Sequence, residues 1–213
     1  MNILPKYLGF QRLKMFEFNE LIVWLERNPQ WIAVGIIGAS FVESFALIGI
    51  IVPGVVLLAV ISGLAATSLS IFEVVMLAYF SSLLSDIASF FIGFSLRNSL
   101  SNLWPFKNHP EFLSNGQQFF KRYGMIGLFV GKFIGPIRPL LPITAGSLNM
   151  NKRNFFFIEI LSCFLWALIY TIPGYYAGQS VVTENSNPLD SIWFWIGIIV
   201  LLLFIRYFSK KFK

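Results

Sequence analysis

Five ionisable residues, Glu43, Asp86, Lys132, Arg138 and Glu159, interrupt apolar runs that otherwise suit the middle of a bilayer. Charge in hydrocarbon is costly, so such groups face a bundle interior, a partner or a substrate path. Lys132 and Arg138 share the stretch "GKFIGPIRPLLPITAG" (131–146) with three prolines, Pro136, Pro139 and Pro142. Arginine offers a planar fork to phosphate oxygens and lysine a compact charge, and the backbone N–H groups freed at broken helix ends add donors. The pattern reads as an anion trap for a lipid phosphate headgroup or another small anion. Glu43 and Asp86 would hold the two cations in the absence of ligand and are the candidates for proton coupling. Glu159 lies near Lys152 and Arg153 and reads as their interfacial ion-pair partner, and Cys163 reads as a packing residue.

These residues must be positioned by membrane elements. The chain has 213 residues, 56% hydrophobic and only 12% charged, far from the usual soluble balance. Residues 1–30 form a mixed apolar and charged segment, expected to be an amphipathic helix in the interface plane. It lacks the short apolar core and small-residue cleavage site of a removable signal peptide, so none is expected. Five apolar runs follow at 31–66, 71–96, 125–148, 155–178 and 192–208, with a polar connector at 97–124. Runs of about 20 residues match a hydrocarbon core of roughly 30 Å. The net charge of +6 sits at the ends of these runs and fits anionic lipid on the cytoplasmic side, not nucleic acid.

Basic residues set the sidedness. Arg97, Lys107, Lys121 and Arg122 in the connector, Lys152 and Arg153 in the next link, and the basic C-terminus all predict cytoplasmic positions. The uncharged link 67–70 and the link 179–190, which holds only Glu184 and Asp190, predict the outside. Run 125–148 then begins and ends on one face, so it must dip in and return. Prolines at membrane depth are tolerated where protein or a water-filled cavity surrounds them. Pro53 stands ten residues before Gly63, and Pro136 ten residues before Gly146. Each broken run leads into a helix ending in paired aromatics and glycine, "FFIG" (90–93) and "YYAG" (175–178). The fold class expected is an all-α integral membrane bundle with two re-entrant hairpins in an inverted repeat. Their turns are assigned to Pro53, Gly54, Gly63, Gly135, Pro136, Pro139, Pro142 and Gly146. Symmetry has run 31–66 entered from outside, whereas Lys6, Arg12, Lys14 and Arg27 before it favour a cytoplasmic start. A tilted or interfacial first helix would reconcile the two.

The motifs "ESFALIGIIVPGVVLLAVISG", "SDIASFFIG", "FVGKFIGPIRPLLPITAGSLNM" and "FFFIEILSCFLWALIYTIPGYYAG" resemble the DedA family of bacterial membrane proteins, also called the SNARE-associated or VTT-domain superfamily. The resemblance runs from about Trp31 to Gly178 and is nearest to the branch sometimes fused to lipid phosphatase domains. It implies a multi-pass protein of the bacterial cytoplasmic membrane, with re-entrant hairpins meeting at the midplane. Members are described as flippases for undecaprenyl phosphate; others are linked to phosphatidylethanolamine movement or phospholipid scrambling. By position, Glu43, Asp86 and Arg138 match family residues, while Val55 replaces a frequent acid and Lys132 a frequent arginine. The first departure weakens strict proton coupling, and the second keeps the charge but loses the fork.

No cofactor or metal is expected, the partners being a membrane lipid and, within the room left by the sequence, a second copy in a homodimer. A phosphatidic-acid-type lipid phosphatase is excluded by its need for two histidines, since His109 stands alone in a polar loop, and no other enzymatic role is expected. A coupled transporter of a small soluble substrate and a membrane scaffold remain open. The transporter would have a sealed cavity, and a lipid translocase a groove open sideways.

Overall fold

The computed structural model describes residues 27–46, 48–49 and 54–182. The expected interfacial helix up to residue 26, the Pro53 turn and the expected helix 192–208 lie outside them. Among the described residues there are six α-helices and no strand: α1 Pro29–Ser44, α2 Gly54–Ala65, α3 Ile71–Ser95, α4 Pro110–Gly131, α5 Leu140–Ser147 and α6 Lys152–Val182.

Local chemistry sets several boundaries. Helix α1 opens with Pro29, whose missing N–H costs nothing in a first turn. Helix α3 opens on a capping box: the Glu73 N–H donates to Ser70 Oγ (3.3 Å), and the Ser70 N–H donates to Glu73 Oε2 (2.8 Å). Helix α4 fills the second half of the expected polar connector and is interrupted at Gly124, whose φ of 55° and ψ of −132° suit glycine. Lys132 terminates α4, Gly135–Ile137 form a 3₁₀ turn, and Arg138 and Pro139 lead into α5. Both cations therefore flank one helix break.

Two helices, over Ile71–Ser95 and Lys152–Gln179, are long and apolar enough to cross a bilayer. Their outward faces carry Phe72, Phe80 and Leu84 on α3 and Phe157, Leu161 and Phe164 on α6, all exposed, as lipid-facing positions require. Their inward faces are small or polar. On α3 the buried positions step by three or four through Ala78, Ser81, Ser82, Ser85, Asp86, Ser89, Phe90 and Gly93. These hydroxyls tie α3 to α1 and to the residues just after it: Ser81 donates to the Ile37 carbonyl (2.6 Å) and Ser85 to that of Phe41 (2.8 Å), while Ser89 accepts from the Ala46 N–H (3.1 Å). Interhelical bonds of this kind hold helices together where the hydrophobic effect does not.

The helix packing has an internal correspondence. Helix α1 packs on α2 and α3, as α4 packs on α5 and α6; α2 lies against α6, as α5 lies against α3. Five glycines, Gly63, Gly93, Gly146, Gly174 and Gly178, sit at the last two crossings. A Cβ on Gly63 would lie 3.1 Å from the Gly174 carbonyl and 3.5 Å from Gly178 Cα, and one on Gly178 would strike the Gly63 backbone. At the other crossing a Cβ on Gly146 would strike the Phe90 carbonyl and one on Gly93 the Ile143 carbonyl. Gly63 and Gly146 are thus inside helices and not at turns, a correction to the sequence assignment: what they supply is close backbone approach. Pro142 likewise lies in the first turn of α5, where the helix needs no N–H from it, and Gly54 starts α2.

Candidate functional site

The buried charged side chains among the described residues are the five singled out in the sequence: Asp86 and Glu159 (each 1% exposed), Lys132 (4%), and Glu43 and Arg138 (each 5%). They form two clusters. Arg138, at the break before α5, donates through Nη1 to Glu43 Oε1 near the end of α1. Its Nη2 donates to Ser44 Oγ (2.7 Å) and reaches Ser82 Oγ on α3 (3.4 Å). The guanidinium carbon lies 3.8 Å from the centre of the Trp166 ring on α6, a stacked cation–π contact. Elements from both halves of the chain thus fix this one arginine.

In the second cluster Lys132 Nζ donates to Asp86 Oδ2 on α3 and to Glu159 Oε2 (2.8 Å) on α6, and lies 2.7 Å from Cys163 Sγ one turn further along α6. The thiol contacts the same two carboxylates, at 3.4 Å to Asp86 and 3.5 Å to Glu159. Asp86, Glu159 and Cys163 place one ligand atom each within 4.8 Å of the others, a spacing that suits a metal ion. The Lys132 ammonium bonds to all three, taking the position a cation would occupy.

Ser82 joins the clusters. Its hydroxyl is 2.9 Å from Ser44 Oγ, 3.4 Å from Arg138 Nη2 and 3.9 Å from Cys163 Sγ, so polar contacts run without a gap from Glu43 to Glu159. Three polar atoms of the arginine cluster have no hydrogen-bond partner among the described residues: Arg138 Nε, Glu43 Oε2 and Trp166 Nε1. Buried donors and acceptors are rarely left so, and water or a ligand is their usual complement.

Arg138 and Glu43, and Lys132 and Asp86, are brought together as pairs. Gly135 and Pro136 lie in the 3₁₀ turn between the cations, and Pro139 immediately precedes α5. Two readings are corrected. Glu159 is not an interfacial partner of Lys152 and Arg153, because it faces inward onto Lys132, while Lys152 rests 4.6 Å from the Phe94 ring. Cys163 does not merely pack, since its sulfur touches three charged groups. Ser44, Ser82 and Trp166 were missed. The run "SSLLSDIAS" held a signal for Ser82, since its serines recur on the face that carries Asp86; Trp166 had none.

The chain is similar to known proteins over most of its length. The VTT domain matches residues 52–176. An uncharacterised membrane protein of Buchnera aphidicola (subsp. Acyrthosiphon pisum) is 32% identical over 177 residues, 78% of this chain and 68% of the relative. The inner membrane protein YabI of Escherichia coli is 32% identical over 182 residues, covering 84% of this chain and 71% of the relative. Protein DedA of the same species is 25% identical over 175 residues, covering 80% and 78%. No solved structure matches. Extent and identity together place the chain in the VTT-domain group, and it belongs to the DedA family of membrane proteins.

Proposed function

We propose that the protein is a non-enzymatic lipid translocase of the bacterial cytoplasmic membrane, which moves a phosphorylated lipid, undecaprenyl phosphate first among candidates, by binding its headgroup at Arg138 with help from Lys132. The observation that carries this reading is a buried arginine at a helix break, held by Glu43 and Trp166, with one of its donors unpartnered. Such an arginine can take a phosphate through a donor that its internal carboxylate leaves free. Glu43 and Asp86 are the groups through which proton movement would couple to that binding.

Two features support re-entrant hairpins around this site. Helix α2 has 12 residues and α5 has eight, too short at 1.5 Å per residue to cross a core of roughly 30 Å. The packing correspondence between α1–α3 and α4–α6, with Gly63 against Gly178 and Gly146 beside Phe90 and Gly93, supports the inverted repeat.

One observation favours a second reading. Arg138 and Lys132 are almost fully enclosed, which suits a transporter with a sealed site for a soluble anion; a lipid requires the bundle to open sideways. Reconstituted vesicles decide between them. Arg138→Ala is expected to abolish transbilayer movement of a polyprenyl phosphate while the protein stays folded in the membrane. Unchanged lipid movement would remove Arg138 from headgroup binding, and uptake of inorganic phosphate without lipid movement would favour the second reading.

A further inference from the structure

We infer that Trp166 is a ligand-binding residue, and that the three unpartnered atoms around Arg138 form a subsite selective for a phosphate that carries a P–OH group, as a monoester does and a diester does not. The inference rests on the headgroup reading of Arg138 and extends it to a residue and a specificity.

Trp166 is fully buried, and its ring lies against the guanidinium of Arg138. Stacking alone would require only an aromatic face, which phenylalanine supplies. What tryptophan adds is an indole N–H, a pure donor that normally finds an acceptor when buried. Here Nε1 has none among the described residues. The adjacent guanidinium has a similar surplus: Nη1 serves Glu43 and Nη2 serves Ser44 and Ser82, but Nε–H is unused. One stack thus presents two idle donors.

The third idle atom is of the opposite kind. Glu43 accepts from Arg138 through Oε1, and its Oε2 has no donor. A ligand that completes all three must offer acceptor oxygens to Nε–H and Nε1–H and a hydroxyl to Oε2. A singly protonated phosphate monoester does so, with two bare oxygens and one P–OH. A diester headgroup, as in phosphatidylglycerol or phosphatidylethanolamine, has bare oxygens but no P–OH, and would leave Glu43 Oε2 facing its anion. Charge favours the same ligand: Glu43 already balances Arg138, so a monoanion that also donates to the carboxylate is better tolerated than one that only repels it. Inorganic phosphate carries the same donor and acceptors, so the shared chemistry covers a lipid and a soluble source.

The test is binding to the full chain in nanodiscs of zwitterionic lipid, with farnesyl phosphate, its methyl diester and inorganic phosphate as probes. Wild type should prefer farnesyl phosphate to the diester. Trp166→Phe, which keeps the stack, should bind the monoester about tenfold less tightly, the loss of one hydrogen bond to a charged group. In wild-type protein the Trp166 indole N–H resonance, assigned by its absence from Trp166→Phe or Trp166→Tyr, should move downfield on adding the monoester. Equal binding by Trp166→Phe with a stationary indole signal would overturn the role of Trp166 and leave the headgroup reading standing. Equal affinity for monoester and diester would overturn the selectivity. Competition by inorganic phosphate at the level of farnesyl phosphate, with the indole shift present, would uphold the subsite and assign it to a soluble anion. If no probe binds wild type, the headgroup reading fails and the inference with it. Should Trp166→Phe not fold, the wild-type resonance assigned through Trp166→Tyr decides alone.

Discussion

Replacing the Arg138–Glu43 pair by apolar residues separates its contribution to stability from its contribution to function. Side-chain exposures of 5% and 6% mean that solvent does not screen the pair. Arg138→Met leaves the Glu43 carboxylate buried without its cation, and Glu43→Leu leaves the guanidinium without its carboxylate; breaking a buried pair in this way costs about 3–5 kcal/mol. The arginine single variant also loses the contact with Trp166, worth about 2 kcal/mol where desolvated, which places it at the upper end of that range. Arg138→Met combined with Glu43→Leu removes both desolvation penalties, so its stability is expected within about 2 kcal/mol of wild type, as for other buried pairs replaced by hydrophobes. Singles of about 5 and about 3–5 kcal/mol against a double of at most about 2 kcal/mol give a coupling of at least about 6 kcal/mol in a double-mutant cycle. The assay is equilibrium unfolding in mixed micelles, with lipid-phosphate transport measured on the same three proteins in vesicles. Expected is a folded double variant without transport. Single variants that each cost under about 1 kcal/mol and add without coupling would refute the buried pair, and a folded double variant with full transport would make it a scaffold feature only.

The other expectations concern packing and the lysine cluster. Gly178→Ala and Gly146→Ala place a methyl group against backbone carbonyls, and each should lower thermal stability by about 1–3 kcal/mol, whereas Gly38→Ala, with nothing within 4 Å, should not; equal effects at all three would contradict the glycine crossings. Lys132→Met vacates the centre of Asp86, Glu159 and Cys163. Cadmium or zinc should then raise the melting temperature of the variant and leave wild type unchanged, and equal stabilisation of both would show that Lys132 does not occupy that position.

The fold was legible where physics acts locally. The 71–96 run differs by one residue from α3, because a long apolar stretch and the Ser70–Glu73 box both mark its start. Helix α6 begins at Lys152, three residues before its apolar run, since polar residues continue a helix past the hydrocarbon edge. Helix α4 was hidden because Phe112, Phe119 and Phe120 alternate with polar residues in a segment that composition marks as connector. The charges were conspicuous because they interrupt apolar runs, but their pairing depends on which faces meet. Glu159 was matched to cations nearby in sequence, whereas its partner Lys132 comes from the break after α4. Cys163 and Trp166 were illegible for the opposite reason: in an apolar run they are ordinary core residues, and only their contacts distinguish them.

The clusters together constrain how an anion can enter. Glu43, Asp86 and Glu159 bring three carboxyl groups to two cations, Lys132 and Arg138, and all five are enclosed. With every carboxyl ionised the group would carry one negative charge before any ligand arrived, and a phosphate would add to it. On the proposed reading the headgroup is therefore best accommodated as the monoanion, whose P–OH brings a proton with it. In an inverted repeat Arg138, two residues after Pro136, would correspond to Val55, two residues after Pro53. A single arginine serves both halves, and the second cation is instead Lys132, which Asp86 and Glu159 already more than balance. Ser82, in reach of Arg138 and Cys163, is the link by which a change at the arginine would reach those two carboxylates. On the proposed reading, proton movement would run through Glu43 beside the arginine and Asp86 beside the lysine, and not through an acid at position 55.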